Sequence, residues 1–188
     1  MQAIDALTTR YSAKTLLEPA PDAGALQLIF ESAVRAPDHG RLRPWRFIVV
    51  RGAARARFGE LLAQHLQRTH AAANEETLRR ERAKALRAPL IIVVAARCNP
   101  EVKIPLIEQQ LSAGAAAHAM MLAAFALGFN AMWKTGSAAY DATLKQALDL
   151  AAGDAIVGFM YLGTQAAPAA LPAARPWADL VSYWGEAT

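Results

Sequence analysis

Cysteine is almost absent from this 188-residue chain, Cys98 being the only one. That excludes an intrachain disulfide and a cysteine-based metal site, and a reducing compartment fits best, so a cytoplasmic protein is expected. No secretory signal is expected, since Met1 to Arg10 carries Asp5 and lacks a long apolar run. The most apolar segment, Leu111 to Phe129, is broken by Ser112, Gly114, His118 and Gly128 and is rich in alanine. It reads as a buried helix and not as a membrane span.

Standard chemical signatures are missing as well. No G-x-G-x-x-G follows a strand, no G-x-x-x-x-G-K-[ST] occurs, and no G-x-S-x-G marks a nucleophile. His65 and His70 are five apart and do not share a helix face, so no metal site is expected. His118, on an apolar helix, reads as a core or interface histidine bonded to a carbonyl. No acid–base pair stands out. What remains is a set of arginines, some hydroxyls, one loop histidine and several aromatics, which binds better than it reacts. Chemistry from this set calls for a borrowed cofactor whose phosphate takes the arginines.

The composition itself suits one helix-rich domain over residues 1–188 with a full core. The hydrophobic fraction is 54%, much of it alanine. The formal charge is +4, and Arg35, Arg41, Arg43, Arg46, Arg51, Arg55 and Arg57 fall in one short window. A patch of this kind serves a mononucleotide, a dinucleotide or a nucleic-acid backbone. A nucleic-acid module using Arg35 to Arg57 is the weaker reading, because few aromatics are evident for stacking.

Along the chain, Ile4 and Leu7 suggest a short helix ending near Thr8, followed by a polar connection. Asp22 is placed to cap a second helix carrying Leu26, Ile29, Phe30, Ala33 and Val34, with Pro37 as its stop. Asp38, His39, Arg41 and Arg43 then lie in a loop between Pro37 and Pro44, well suited to an anion. Phe47 to Val50 predicts a strand, Ala54 to His65 a helix, and the charged stretch from Asn74 to Arg87 an exposed helix or lid. Pro89 to Ala96 predicts a strand buried on both faces. A long helix from Leu106 stops at Gly128, and its all-round apolar surface points to a dimer interface. Strands are predicted at Phe129 to Trp133 and Ile156 to Leu162, the latter ended by Gly163, with a helix over Asp141 to Leu148 between them. The tail, 164–188, contains Pro168, Pro172 and Pro176 and reads as extended. Trp177, Leu180, Val181, Tyr183 and Trp184 would find burial against a partner subunit.

Several spaced pieces carry a resemblance. Arg10-Tyr11-Ser12, Arg35-Ala36-Pro37-Asp38-His39, Pro44-Trp45, Trp133-Lys134-Thr135-Gly136 and Val157-Gly158-Phe159-x-Tyr161-Leu162-Gly163 occur in the order seen in flavin-dependent nitroreductases. The chain resembles the short, YdjA-like branch of that family over essentially its whole length. The resemblance implies an α+β nitroreductase-like fold, with a mostly antiparallel sheet between helical layers. It also implies an intertwined homodimer with exchanged C-terminal tails and FMN at each subunit interface.

By the same resemblance Arg10, the Tyr11 backbone and Ser12 match contacts to the phosphate and ribityl chain, a role a guanidinium and a hydroxyl can fill. Arg35 and His39 match positions reaching FMN from the partner subunit, and Trp133, Lys134 and Thr135 match the turn beside the isoalloxazine. Lys14 matches a flavin-contacting lysine of some relatives, and Arg175 is the one basic residue beyond Lys145. The loop departs from larger relatives, which use Ser-x-x-Asn-x-Gln-Pro-Trp where this chain has Asp38, His39, Arg41 and Arg43 before Pro44-Trp45. The implied activity is a flavin-dependent oxidoreduction. NAD(P)H gives hydride to flavin N5 and is replaced by a nitroaromatic, quinone or similar acceptor in a ping-pong scheme, with no catalytic side chain. The rival within the family is a flavin-binding carrier or sensor without turnover. Membrane and nucleic-acid partners are not expected.

Overall fold

A computed structural model describes residues 2–13, 15–166, 173 and 176–185. The elements in chain order are α1 (Ala3–Thr9), β1 (Leu16–Leu17), α2 (Ala23–Ala33), β2 (Trp45–Arg51), α3 (Ala54–Thr69) and α4 (Glu75–Ala83). They continue with β3 (Leu90–Ala96), α5 (Leu106–Ala126), β4 (Asn130–Lys134), α6 (Ala142–Ala147) and β5 (Ala155–Gln165). The strands form one antiparallel sheet ordered β1-β5-β3-β2, with β4 also paired to β5. The α+β fold with a mostly antiparallel sheet is as the resemblance implied.

Alternation along the central strands makes two cores. Ile91, Val93 and Ala95 of β3 face Phe58 and Leu62 of α3 and Leu144 of α6. Leu90, Ile92 and Val94 face Ile29 and Ala33 of α2 and Ala116, Met120 and Ala124 of α5. Every residue of β3 is buried, which explains its unbroken apolar run.

Local chemistry fixes the helix starts. Asp22 Oδ1 accepts from Ala25 N–H at 2.8 Å, Asn74 Oδ1 from Thr77 N–H at 3.0 Å, and Asp141 Oδ1 from Leu144 N–H at 2.7 Å. The charged stretch from Asn74 is helix α4, laid on α3 with Leu78 buried. Gly59 of α3 is needed for that contact, since a Cβ there would meet the Arg82 carbonyl oxygen at 2.7 Å.

Three expectations are corrected. Gly163 does not end the last strand, which runs to Gln165 because Thr164 and Gln165 pair with Leu17 and Leu16 of the unforeseen strand β1. Gly163 instead permits close approach, since a Cβ would lie 2.7 Å from Pro89 Cδ and 2.8 Å from the Leu17 oxygen. Of the two readings of His118, core or interface, the core one falls, since it is exposed on the single chain because α5 buries Ser112, Ala116, Met120 and Ala124 on its other face. The second helix stops at Ala33, before Val34, with Val34 N–H closing it on Phe30 O.

Among the described residues no helix is long and apolar enough to cross a membrane. Trp177, Leu180, Tyr183 and Trp184 are exposed on the single chain. Lys14, Pro168, Pro172 and Arg175 lie outside the described residues.

Candidate active site

The segment Arg10 to Ala13 leaves α1 and is stapled to the ends of two strands. Tyr11 stands edge-on to Phe125 with centroids 6.0 Å apart, and its hydroxyl donates to the Gln165 side-chain oxygen. Ala13 N–H donates to Asn130 Oδ1 at 3.2 Å, and Asn130 Nδ2 donates to Gln165 Oε1 at 3.2 Å. Ser12 is exposed. Arg10 is the chemically conspicuous residue here, because its Nη1 is buried and has no hydrogen-bond partner among the described residues. A buried donor left unpaired costs about 1–3 kcal/mol, so this nitrogen is a standing invitation to an anion.

The other end of β4 presents Trp133, Lys134 and Thr135. Trp133 Nε1 donates to the Val157 carbonyl at 3.0 Å, which fixes the indole against β5. Lys134 and Thr135 are exposed and line a cavity of about 230 Å³. Its apolar side includes Leu62 and Phe159, and its polar side includes Lys84, Arg87, Ser137 and Tyr161. Lys84 Nζ pairs with Glu81 at 2.5 Å. Burial pushes the Tyr161 phenol up to about 12, with Arg87 opposing and Glu81 reinforcing, so it remains a donor across the ordinary pH range.

Behind this cavity lies a network that sequence reading missed. His65, 6% exposed, has Nδ1 2.9 Å from Asp141 Oδ2 and Nε2 2.9 Å from Ser137 Oγ. Arg68 Nη2 donates to Asp141 Oδ1 at 2.9 Å. Burial works against the Asp141 charge, but hydrogen bonds from His65, Leu144 N–H and Arg68 outweigh it and hold the carboxyl down at about 2. That Asp141 begins a helix was legible in the sequence. Its link to His65 was not, because the two are 76 positions apart and no local spacing records the contact.

Arg35 and His39 sit elsewhere. His39, exposed on the short 3₁₀ turn His39–Arg41, has Nδ1 2.6 Å from Glu108 Oε2 in the first turn of α5. That loop is fastened by Trp45 Nε1 donating to Ser112 Oγ at 3.0 Å, by Ser112 Oγ donating to Pro37 O at 2.7 Å, and by Arg43 N–H donating to Asp38 Oδ2 at 2.8 Å. Arg41 and Arg43 take positive φ values of 54° and 50°, which these fastenings sustain. Arg35 is exposed just beyond α2. Tyr11 touches α5 at Phe125 and His39 touches it at Glu108, seventeen residues away. At 1.5 Å per residue that is about 25 Å, so one chain does not bring Arg10 and His39 to a common ligand. No cluster of metal-ligating side chains occurs among the described residues.

With this geometry in view, residues 7–164 match the Nitroreductase family, and the chain belongs to it. It is 41% identical over 164 residues to the Escherichia coli K12 protein named "Putative NAD(P)H nitroreductase YdjA", covering 87% of this chain and 88% of that one. Among solved structures, a nitroreductase-like family protein from Bacillus cereus superposes with a TM-score of 0.83 at 21% identity, covering 99% of this chain and 97% of the other. A "putative nitroreductase in complex with FMN" from Desulfovibrio desulfuricans superposes with a TM-score of 0.73 at 28% identity, covering 96% and 95%.

Proposed function

We propose that the protein is an FMN-dependent oxidoreductase that takes electrons from NAD(P)H and gives them to an electron-poor acceptor such as a nitroaromatic or a quinone. The observation that carries this reading is the buried, unpartnered Arg10 Nη1, on a segment pinned to β4. A dianionic phosphate satisfies that guanidinium, and Ser12 offers a hydroxyl to a polyol. The names of the 41% identical relative and of the FMN complex at 28% identity support the same cofactor and reductant.

When bound, FMN supplies two-electron chemistry in two half-reactions. The chain supplies the setting. Arg10 and Ser12 hold the phosphate end, while Trp133, Lys134 and Thr135 flank the ring, Lys134 contributing positive charge there.

A homodimer completes the site in this reading. The outward face of α5 carries Ile107, 58% exposed, and Leu111, 63% exposed, and continues through His118. Antiparallel pairing of two such helices about a two-fold axis lays one copy's Arg35 and His39 beside the other's Arg10, spanning the 25 Å that separates them in one chain. The exposed Trp177 and Trp184 then have a partner surface to cover them.

The test is to purify the protein without added cofactor, record its visible spectrum, identify any released chromophore and follow NAD(P)H oxidation with a quinone. Released FMN with acceptor-dependent turnover is the expected result. A colourless protein that also refuses added FMN would overturn the proposal, and FMN binding without turnover would leave a carrier or sensor in its place.

A further inference from the structure

The cavity beside Lys134 and Thr135 has one wall whose hydrogen-bonding polarity is set from behind. Asp141 is a carboxylate and can only accept, so His65 Nδ1, 2.9 Å away, carries the proton. With the imidazole in its neutral form Nε2 offers only a lone pair, and Ser137 Oγ, 2.9 Å from it, donates there. The hydroxyl has a single proton. Ser137 therefore turns lone pairs toward the cavity and behaves as an acceptor.

The same cavity carries Lys134 and Arg87, neither of which forms an ion pair among the described residues. Leu62 and Phe159 supply apolar surface for a ring. An acceptor accompanied by cationic donors suits a ring edge on which one N–H lies between two carbonyl oxygens. The reduced or oxidised isoalloxazine has that edge in its pyrimidine ring.

We propose that Ser137, held as an acceptor by His65 and Asp141, binds the imide N–H of the flavin pyrimidine edge, and that Lys134 and Arg87 serve its carbonyl oxygens. This rests on the FMN reading above. Ser137 is then a cofactor-binding residue, and His65 and Asp141 are positioning residues that act through it.

The experiment compares binding of FMN and of 3-methyl-FMN, in which a methyl replaces the imide proton, to apoprotein by flavin fluorescence titration. The unaltered protein is expected to favour FMN by about tenfold, the value of one hydrogen bond. Ser137→Ala should erase that preference. Asp141→Asn is the sharper variant, because Asn is as good an N-cap as Asp. Its oxygen keeps Leu144 N–H and Arg68, so its amide NH₂ faces His65 Nδ1, moves the imidazole proton to Nε2 and turns Ser137 into a donor. The preference should be lost with the serine still in place, and the ¹⁵N shifts of His65 should report the exchanged tautomer. Equal binding of both flavins by the unaltered protein, or a preference that survives Ser137→Ala, overturns this inference and leaves the FMN reading intact. Failure of both flavins to bind overturns the FMN reading itself and this inference with it.

Discussion

Gly158 and Trp133 occupy one space: a Cβ on Gly158 would lie 2.1 Å from the Trp133 indole nitrogen, which donates at 3.0 Å to the neighbouring Val157 carbonyl. The glycine is a seat for the ring and not a flexible joint. Gly158→Ala should therefore displace the indole, break its hydrogen bond and destabilise the fold by about 2 kcal/mol or more, read as a lowered urea midpoint at unchanged slope.

In the proposed FMN site, removal of the Arg10 guanidinium takes away charge-assisted bonds to the phosphate and nothing from the ring. Arg10→Ala should weaken FMN binding by about ten- to a hundredfold while leaving riboflavin, which has no phosphate, nearly unchanged. Parallel titrations with the two flavins check this. Equal losses for both would place Arg10 away from the phosphate.

The outward stripe of α5 gives a test of assembly. Leu111→Glu puts a charge at the middle of the proposed interface, so light scattering should report a dimer for the unaltered chain and a monomer for the variant, with loss of FMN retention in parallel. Arg35→Ala should weaken FMN and leave the dimer whole. A Leu111→Glu chain that stays dimeric would refute the proposed pairing.

Acid stability follows from Asp141. Its carboxyl sits at about 2 in the folded chain against 3.8 for the free group. Its stabilising contribution is present above about pH 4 and is lost as pH falls toward 2, because the unfolded chain binds the proton first. The loss should be about 2 kcal/mol, and Asp141→Asn should flatten the stability profile across that window. Thermal melts between pH 2 and 5 measure it.

What the sequence made readable was whatever a few adjacent residues decide. Asp22 as a cap, the unbroken run of β3 and the helix from Leu106 are local facts, and each stands in the structure where expected. Strand β1 escaped because two residues, Leu16 and Leu17, carry no periodicity, and their pairing with Gln165 and Thr164 is nonlocal. Gly163 was misread because a glycine that ends a strand and one that lets another backbone come close look alike in sequence. The resemblance marked both flanks of β4. It could not supply His65, Ser137 and Asp141, whose association comes only from α3 lying across the turn before α6.

Strand β5 also sets when the sheet can be assembled. Among the described residues β1 and β4 pair with β5 alone, and β3 pairs with β2 and β5. A chain emerging from the ribosome can join β2 to β3 early, yet β1 must wait almost 150 residues for its partner, as the Leu16 to Gln165 pairing requires. Until residues 155–165 are released, β4 and one edge of β3 remain open templates for another nascent chain. Truncation before Ala155 should therefore yield aggregation-prone protein and not a smaller folded one.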